Sequence, residues 1–284
     1  MTEQIALLPG LDPDELVAEA KAEHQPIRTV ALFSGGGDSM VTAHRCREHY
    51  DELAFIDTGT ATPGVTAFVQ EAADWIGKPL RVMEHDDDAY RKIVLGDPDR
   101  GWKPMGFPGP GQHGLVYNRL KQRQIERLLR EAKVGHPRNA RVLFLSGIRR
   151  AESMRRAKRE PITRVYSMVF CSPLIDWTGA DMRRYRDEHG LPMSDVAALM
   201  HRSGECNCGA FANAGDERAM MRDLWPAWWR ERIESLEAEA EAAGIRFCRW
   251  GGYDLDGNRA GDKSAERPGL LCSSCVIRDG QLSL

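Results

Sequence analysis

The stretch Ser34–Ser39, Ser-Gly-Gly-Gly-Asp-Ser, places three glycines between two hydroxyls and a carboxylate, directly after an apolar run. That composition suits a phosphate cradle. Glycines let successive backbone N–H groups converge on an anion, a helix starting there adds the positive end of its dipole, and the hydroxyls are further donors. Asp38 repels phosphate but can hold Mg²⁺ against it. The spacing matches neither the G-x-x-x-x-G-K-[ST] loop nor the G-x-G-x-x-G loop of dinucleotide binders. Ser34, Gly35, Gly36, Gly37, Asp38 and Ser39 are the candidate phosphate-contacting residues, with Ser34, Asp38 and Ser39 nearest to any chemistry.

Two further groups of side chains carry chemistry. Four of the seven cysteines fall in close pairs, Cys206 with Cys208 and Cys272 with Cys275. Four thiolates suit a [4Fe–4S] cluster or a structural Zn²⁺, and the spacing alone does not separate them. Cys46, Cys171 and Cys248 sit in helix or strand patterns and are expected as small buried apolar residues. Arg149, Arg155 and Arg156 follow the apolar run 141–146, where guanidinium forks can grip phosphate or sulfate. Glu152 and Ser153 are expected to cap the local helix there, and 254–258 reads as a hairpin turn.

These residues need a frame, and the patterning supplies one. Apolar, β-branched runs predict strands over 29–33, 53–56, 80–84, 141–146 and 164–170, alternating with helices over 65–76, 116–132 and 181–189 and a long helical stretch over 216–243. Strands separated by helices imply βαβ crossovers and a mostly parallel sheet, so the fold class is α/β. The glycine- and proline-rich segment 96–114 is long enough for a lid or substrate loop. In such a sheet, ligands bind beyond the carboxyl ends of the strands, where Ser34–Ser39 falls. With 284 residues and 42% hydrophobic content the chain can bury one large core. A net charge of −3 argues against wholesale coating of nucleic acid. No window reaches the length of a membrane span, and a cytoplasmic protein without a membrane partner is the expectation.

The S-G-G-x-D-S string between strand and helix resembles the pyrophosphate loop (PP-loop) of the adenine nucleotide α-hydrolase superfamily. Within it, 28–208 resembles the phosphoadenosine phosphosulfate reductase (CysH-like) branch. Phe55–Gly59 ("FIDTG"), Ser146–Arg156 ("SGIRRAESMRR") and Ser172–Tyr185 ("SPLIDWTGADMRRY") match that branch's motifs in order. The resemblance implies a Rossmann-like fold with helices on both faces of the sheet and a small C-terminal cysteine-bearing module. The corresponding division is an N-terminal extension over 1–27, a nucleotide-binding domain over 28–200 and a helical, cysteine-rich module over 201–284. It adds Asp57, Thr58, Gly59, Gly147, Arg149, Arg155 and Arg156 to the nucleotide-binding set and favours iron–sulfur over zinc at Cys206, Cys208, Cys272 and Cys275.

Two departures shape the functional expectation. No cysteine follows Cys275 and no E-C-G-L-H motif occurs, so sulfate reduction by a tail thiolate is not expected. Gly37 stands where many relatives carry lysine, and the missing charge is expected from Lys78, Lys103 or the Arg149–Arg156 group. The leading expectation is an ATP α-hydrolase (ATP pyrophosphatase) that binds ATP and Mg²⁺ and releases AMP and pyrophosphate, with adenylation of an acceptor left open. The alternatives are a sulfur-inserting enzyme acting on nucleic acid, as in relatives that modify DNA or tRNA, and an inactive reductase-like adaptor. Relatives beside type IV CRISPR loci bring a nucleic acid or ribonucleoprotein partner into view, and a homodimer is a further expectation.

Overall fold

The computed structural model describes residues 12–85, 88–154, 156–200, 202–212 and 216–260. Cys272, Cys275 and Arg155 lie outside the described residues. Six strands form one sheet: β1 (Arg28–Leu32), β2 (Glu52–Ile56), β3 (Leu80–Met83), β4 (Val142–Leu145), β5 (Ile162–Val165) and β6 (Met168–Cys171). Their order is β3-β2-β1-β4-β6-β5, parallel throughout except for the edge strand β5, which runs antiparallel to β6. The strands read as continuous apolar runs because both faces are covered. Alternate residues supply two cores, with Ala31, Phe55, Leu143, Leu145 and Val169 on one side. Val30, Ala54, Ile56, Phe144 and Met168 lie on the other.

The helices follow from local signals. Helix α1 (Pro13–His24) starts at Asp12, whose carboxylate accepts from the Asp14 amide at 2.7 Å, with Pro13 in the first turn. Leu16, Val17 and Ala20 of α1 enter the larger core. Helix α2 (Gly37–Arg45) follows β1, and α3 (Val65–Ile76) follows β2 with the predicted bounds, closed by Gly77 at φ +77°. After β3 come α4 (Ala89–Leu95) and then α5 (His113–Tyr117), which continues through a π-helical turn (Asn118–Gln122) into α6 (Arg123–Ala132). Ile125 and Leu128 of α6 cover the second core. Helices α7 (Gly179–Glu188) and α8 (Asp195–Met200) follow β6, the former opened by a reciprocal Thr178–Asp181 capping box.

Three expectations need correction. The strand expected over 164–170 is a hairpin, β5 turning into β6 at Tyr166, whose φ of +54° is a left-handed conformation in a residue other than glycine. The helix expected over 216–243 breaks at Trp225–Pro226, because proline has no N–H to continue the ladder. It becomes α9 (Asp216–Leu224), α10 (Pro226–Trp229) and α11 (Ser235–Ala242), the last two joined by a π-helical turn (Arg230–Glu234). The segment 96–114 is no free lid: the Gly106 amide bonds the Val94 carbonyl at 3.0 Å and the Phe107 amide the Phe247 carbonyl at 2.8 Å. Phe107 is fully buried and Gly109 is pressed on the Ala260 carbonyl, so this segment clasps the C-terminal helices to the sheet. Trp229 and Trp250, both buried, meet edge to face in that clasped region. The turn at Asp254 is the expected hairpin, its carboxylate accepting from the Asn258 amide at 2.8 Å.

Candidate functional site

The chain runs outward from β1 to β2 and β3, then returns to β4 on the other side of β1. A crevice therefore opens between the carboxyl ends of β1 and β4, the place where open α/β sheets hold ligands. Ser34–Ser39 leaves β1 at that point and 146–150 leaves β4 beside it. Gly35 takes φ +75°, and a Cβ there would stand 2.9 Å from Val69, so both backbone and space call for glycine. The Ser34 and Ser39 hydroxyls lie 3.1 Å apart, the Ser34 amide donates to Ser39 Oγ at 3.2 Å, and Ser39 Oγ donates to the Gly36 carbonyl at 2.9 Å. The hydroxyls thus close the loop on itself. The first N–H groups of α2, which begins at Gly37, have no intrahelical acceptor and face the crevice end of the helix.

Arg149 carries the strongest side-chain link in this crevice. Its Nε and Nη2 both donate to Asp38 Oδ2, at 3.0 and 2.7 Å, while Nη1 reaches the Trp177 carbonyl at 3.4 Å. Arg149 is therefore spent on orienting Asp38. Asp38 Oδ1 takes no hydrogen bond from the described residues, so the carboxylate fits a divalent cation on its second oxygen. Gly147 sits against the same turn: a Cβ there would lie 3.0 Å from the Asp38 carbonyl carbon and oxygen and 3.1 Å from the Ser39 nitrogen. Arg156 pairs with Glu152, and Arg150 with Asp176. The arginines described here thus carry carboxylates, and Glu152 is an ion-pair partner where a helix cap was expected.

The loop after β2 and the segment after α8 form one unit. Gly59 turns at φ +71° with its amide on Asp57 Oδ1 at 2.8 Å. The buried Thr58 hydroxyl donates to the Glu205 carbonyl at 2.6 Å. Asn207, 1% exposed, donates from its amide nitrogen to Thr60 Oγ1 at 3.0 Å and from Nδ2 to the carbonyls of Thr60 and Gly204 at 2.9 and 3.0 Å. Its Oδ1 accepts from Arg202 at 3.0 Å, which satisfies the whole amide. The asparagine that splits the cysteine doublet is thus the latch between this segment and the β2 loop. Ser203 comes over the phosphate loop itself, 2.9 Å from where a Gly36 Cβ would stand.

Cys206 and Cys208 flank that latch as free thiols in hydrogen-bond contact, and neither is in a disulfide. The Cys208 hydrogen bond and the Lys121 ammonium push the Cys206 thiol down, against burial, whereas the Cys206 hydrogen bond and burial push Cys208 up. Lys121 is paired with Glu205. A mutually bonded thiol pair next to a cation, with Cys208 buried and Cys206 half-buried, fits two thiolate ligands of a metal or cluster. Among the described residues no group of three or more metal-ligating side chains occurs. The remaining thiols, Cys46, Cys171 and Cys248, are buried as expected, and burial raises Cys46 and Cys171 to about 12.

A cation that the sequence did not single out stands near Gly37. Arg186 of α7 places Nη1 3.6 Å from the position of a Gly37 Cβ. Lys78 precedes β3, bonds the Tyr50 carbonyl at 3.0 Å and lies at the amino edge of the sheet, opposite the crevice. Lys103 is exposed on the clasp. The alternation of a parallel sheet would have excluded Lys78, because residues that enter such a strand cannot meet residues that leave its neighbour.

A glycine loop at the reversal of an open, mostly parallel sheet, closed by serines and faced by an oriented aspartate, places the chain among Rossmann-like α/β proteins. Comparison with known families makes this specific: the chain belongs to the phosphoadenosine phosphosulfate reductase domain family, whose model matches residues 28–203. The chain is 28% identical over 194 residues to a phosphoadenosine 5'-phosphosulfate reductase of Xanthomonas euvesicatoria pv. vesicatoria, covering 66% of this chain and 73% of the relative. Among solved structures it is similar to the phosphoadenylyl-sulfate (PAPS) reductase of Candida auris in a phosphate complex, at 18% identity and TM-score 0.48, over 67% of this chain and 85% of that one. It is similar too to the U34-tRNA thiolase NcsA of Methanococcus maripaludis with its [4Fe-4S] cluster, at 12% identity and TM-score 0.37, over 81% and 77% of the two chains. Among the described residues no helix is long and apolar enough to cross a membrane.

Proposed function

We propose that the protein is an ATP pyrophosphatase, cleaving ATP between the α and β phosphates to AMP and pyrophosphate. The observation that carries this reading is the loop Ser34–Ser39 at the β1/β4 crevice, with Asp38 held by Arg149 so that one carboxylate oxygen stays open. In this reading the α2 amides and the Ser34 and Ser39 hydroxyls bind the phosphates, and Arg186 supplies positive charge above Gly37. Mg²⁺ on Asp38 would neutralise the charge that develops on the phosphates. Asp57, Thr58 and Gly59 would border the nucleoside. Catalysis would be electrostatic, by donors fixed before the reaction. Purified protein incubated with ATP and Mg²⁺ should release AMP, and Asp38→Ala should abolish that release. Release of ADP instead, or equal AMP release by D38A, overturns the reading.

A second reading rests on a different observation, the Asn207 latch that ties Cys206 and Cys208 to the Asp57–Thr62 loop. Thiolates next to a nucleotide loop suit activation of a nucleic acid by adenylation followed by sulfur delivery. Cys206 and Cys208 would hold two irons of a cluster that keeps one iron open to carry sulfur; a [4Fe–4S] cluster, or Zn²⁺ in its place, ligated by all four of Cys206, Cys208, Cys272 and Cys275 counts against this reading. The visible spectrum of anaerobically purified protein separates iron–sulfur from zinc. Incorporation of labelled sulfur into RNA or DNA in the presence of ATP supports thiolation, and AMP release without incorporation supports the first reading alone.

A further inference from the structure

A cavity of about 210 Å³ lies away from Ser34–Ser39, between α4, the clasp and the π-helical turn, and its walls include Lys92, Arg100, Trp102, Arg119 and Arg123. Its volume is several times the ~30 Å³ a water molecule occupies in the liquid. The Arg119 guanidinium stacks on the Trp102 ring at 3.8 Å, with those of Arg123 and Arg100 at 5.1 and 5.3 Å from the same ring. Arg100 is paired with Asp97. Lys92, Arg119 and Arg123 have no carboxylate at ion-pair distance among the described residues. Burial and the neighbouring Arg123 push the Arg119 pKa down, the mark of crowded like charges. Cations held together in this way are stabilised by an oxyanion, which guanidinium forks grip in the plane of its oxygens.

A buried acceptor narrows the chemistry. His85 bridges this wall, its Nε2 in hydrogen-bond contact with the Leu120 carbonyl and its Nδ1 with Gln124 Nε2 at 3.0 Å. This leaves Gln124 Oε1 buried with no partner, on a side chain that lines the same cavity. An orphaned acceptor beside unpaired cations calls for a ligand with a donor as well as an anion. The π-helical turn carries Arg119 and Leu120, both on the cavity wall, a local irregularity of the kind found at functional sites. His85 follows β3, which stands two strands from β1, so the cavity lies about 10 Å along the sheet edge from the phosphate loop.

We propose that this cavity is a second phosphate subsite, taking a phosphate ester whose organic part bears a hydroxyl. The subsite does not depend on which bond is broken at Ser34–Ser39. Such an ester is either a small sugar phosphate or one residue of an RNA backbone, and the test separates the two. Full-length protein is titrated with inorganic phosphate, ribose 5-phosphate and a labelled single-stranded oligoribonucleotide, in wild type, Arg119→Ala/Arg123→Ala, Arg123→Glu and Ser34→Ala. The expected result is binding of at least one ester more tightly than inorganic phosphate, tenfold or more weakened in both arginine variants and retained in S34A. Tight ribose 5-phosphate binding assigns a small ester. Binding of the oligoribonucleotide alone, with a salt dependence shallower in the variants by about 0.7 per lost phosphate contact, assigns RNA. R123E keeps the test open if the double variant fails to fold, because Arg123 is exposed. Binding unchanged in the arginine variants, binding lost only in S34A, or no ester bound above the level of inorganic phosphate overturns the proposal.

Discussion

Gly147→Ala isolates the geometry of the phosphate loop from its chemistry. Gly147 does not have a positive φ, so alanine is permitted by the backbone and only the space is at issue. The new methyl would lie 3.0 Å from the Asp38 carbonyl carbon and oxygen and 3.1 Å from the Ser39 nitrogen, against the 3.4 Å where ordinary contact begins. All three neighbours are backbone, so no side chain can swing aside, and the α2 start must retreat by about 0.4 Å. A phosphate bond of about 2.9 Å would stretch to about 3.3 Å, past the usual range for N–H···O. Overpacking of this kind costs about 1–3 kcal/mol, and at about 2–4 °C per kcal/mol the melting temperature should fall by about 2–12 °C. ATP affinity, read by calorimetry, should fall at least tenfold, which corresponds to about 1.4 kcal/mol. Gly114→Ala is the control: nothing lies within 4 Å of its Cβ position, it sits in α5, and it should raise stability by about 0.5–1 kcal/mol. A G147A protein with wild-type melting and wild-type ATP affinity would refute the reasoning.

Other perturbations address single links in the site. Asp38→Asn and Arg149→Met should each weaken Mg²⁺-dependent ATP binding, and the double variant should lose less than the sum of the two, since both act through the Oδ2 contact; strict additivity in a double-mutant cycle counts against the pair. Arg186→Ala should lower nucleotide affinity several-fold while Arg184→Ala, at an exposed arginine paired with Asp181, leaves it unchanged; equal effects of the two would remove Arg186 from the site. Cys46 and Cys171, with pKa values raised to about 12 by burial, should resist thiol reagents at pH 8 until the protein unfolds. Labelling of either thiol in the native protein, followed by mass spectrometry, would show that the core opens locally.

What the sequence revealed and what it concealed divide along chain distance. The loop Ser34–Ser39 and the bounds of α3 were legible because glycine, hydroxyl and periodicity act over a few neighbouring residues. The hairpin at Tyr166 was not, because no glycine, asparagine or proline marks its left-handed turn. The role of Asn207 was hidden as well. Its bonds run to Thr60, Gly204, Arg202 and Trp250, and without the fold it stands only as the residue that interrupts two cysteines. The arginines at 149 and 156 were legible as basic, whereas their carboxylate partners were not, since Asp38 lies 111 residues from Arg149. Segment 96–114 misled for a related reason: glycine and proline there serve close packing on Phe247 and Ala260 in place of motion.

The cover over the phosphate loop has a consequence for how the protein is made. Thr60 receives its bonds from Asn207, 147 residues later. At about 5–20 residues per second a ribosome needs roughly 7–30 s to cover that distance. Strands β1 to β4 and their helices can form while the chain is still emerging, whereas the loop that meets Ser203 is completed only after residue 207 has left the exit tunnel. The nascent sheet therefore passes through an interval in which its crevice is uncovered, and nucleotide that favours the closed loop acts late, on a chain already largely folded.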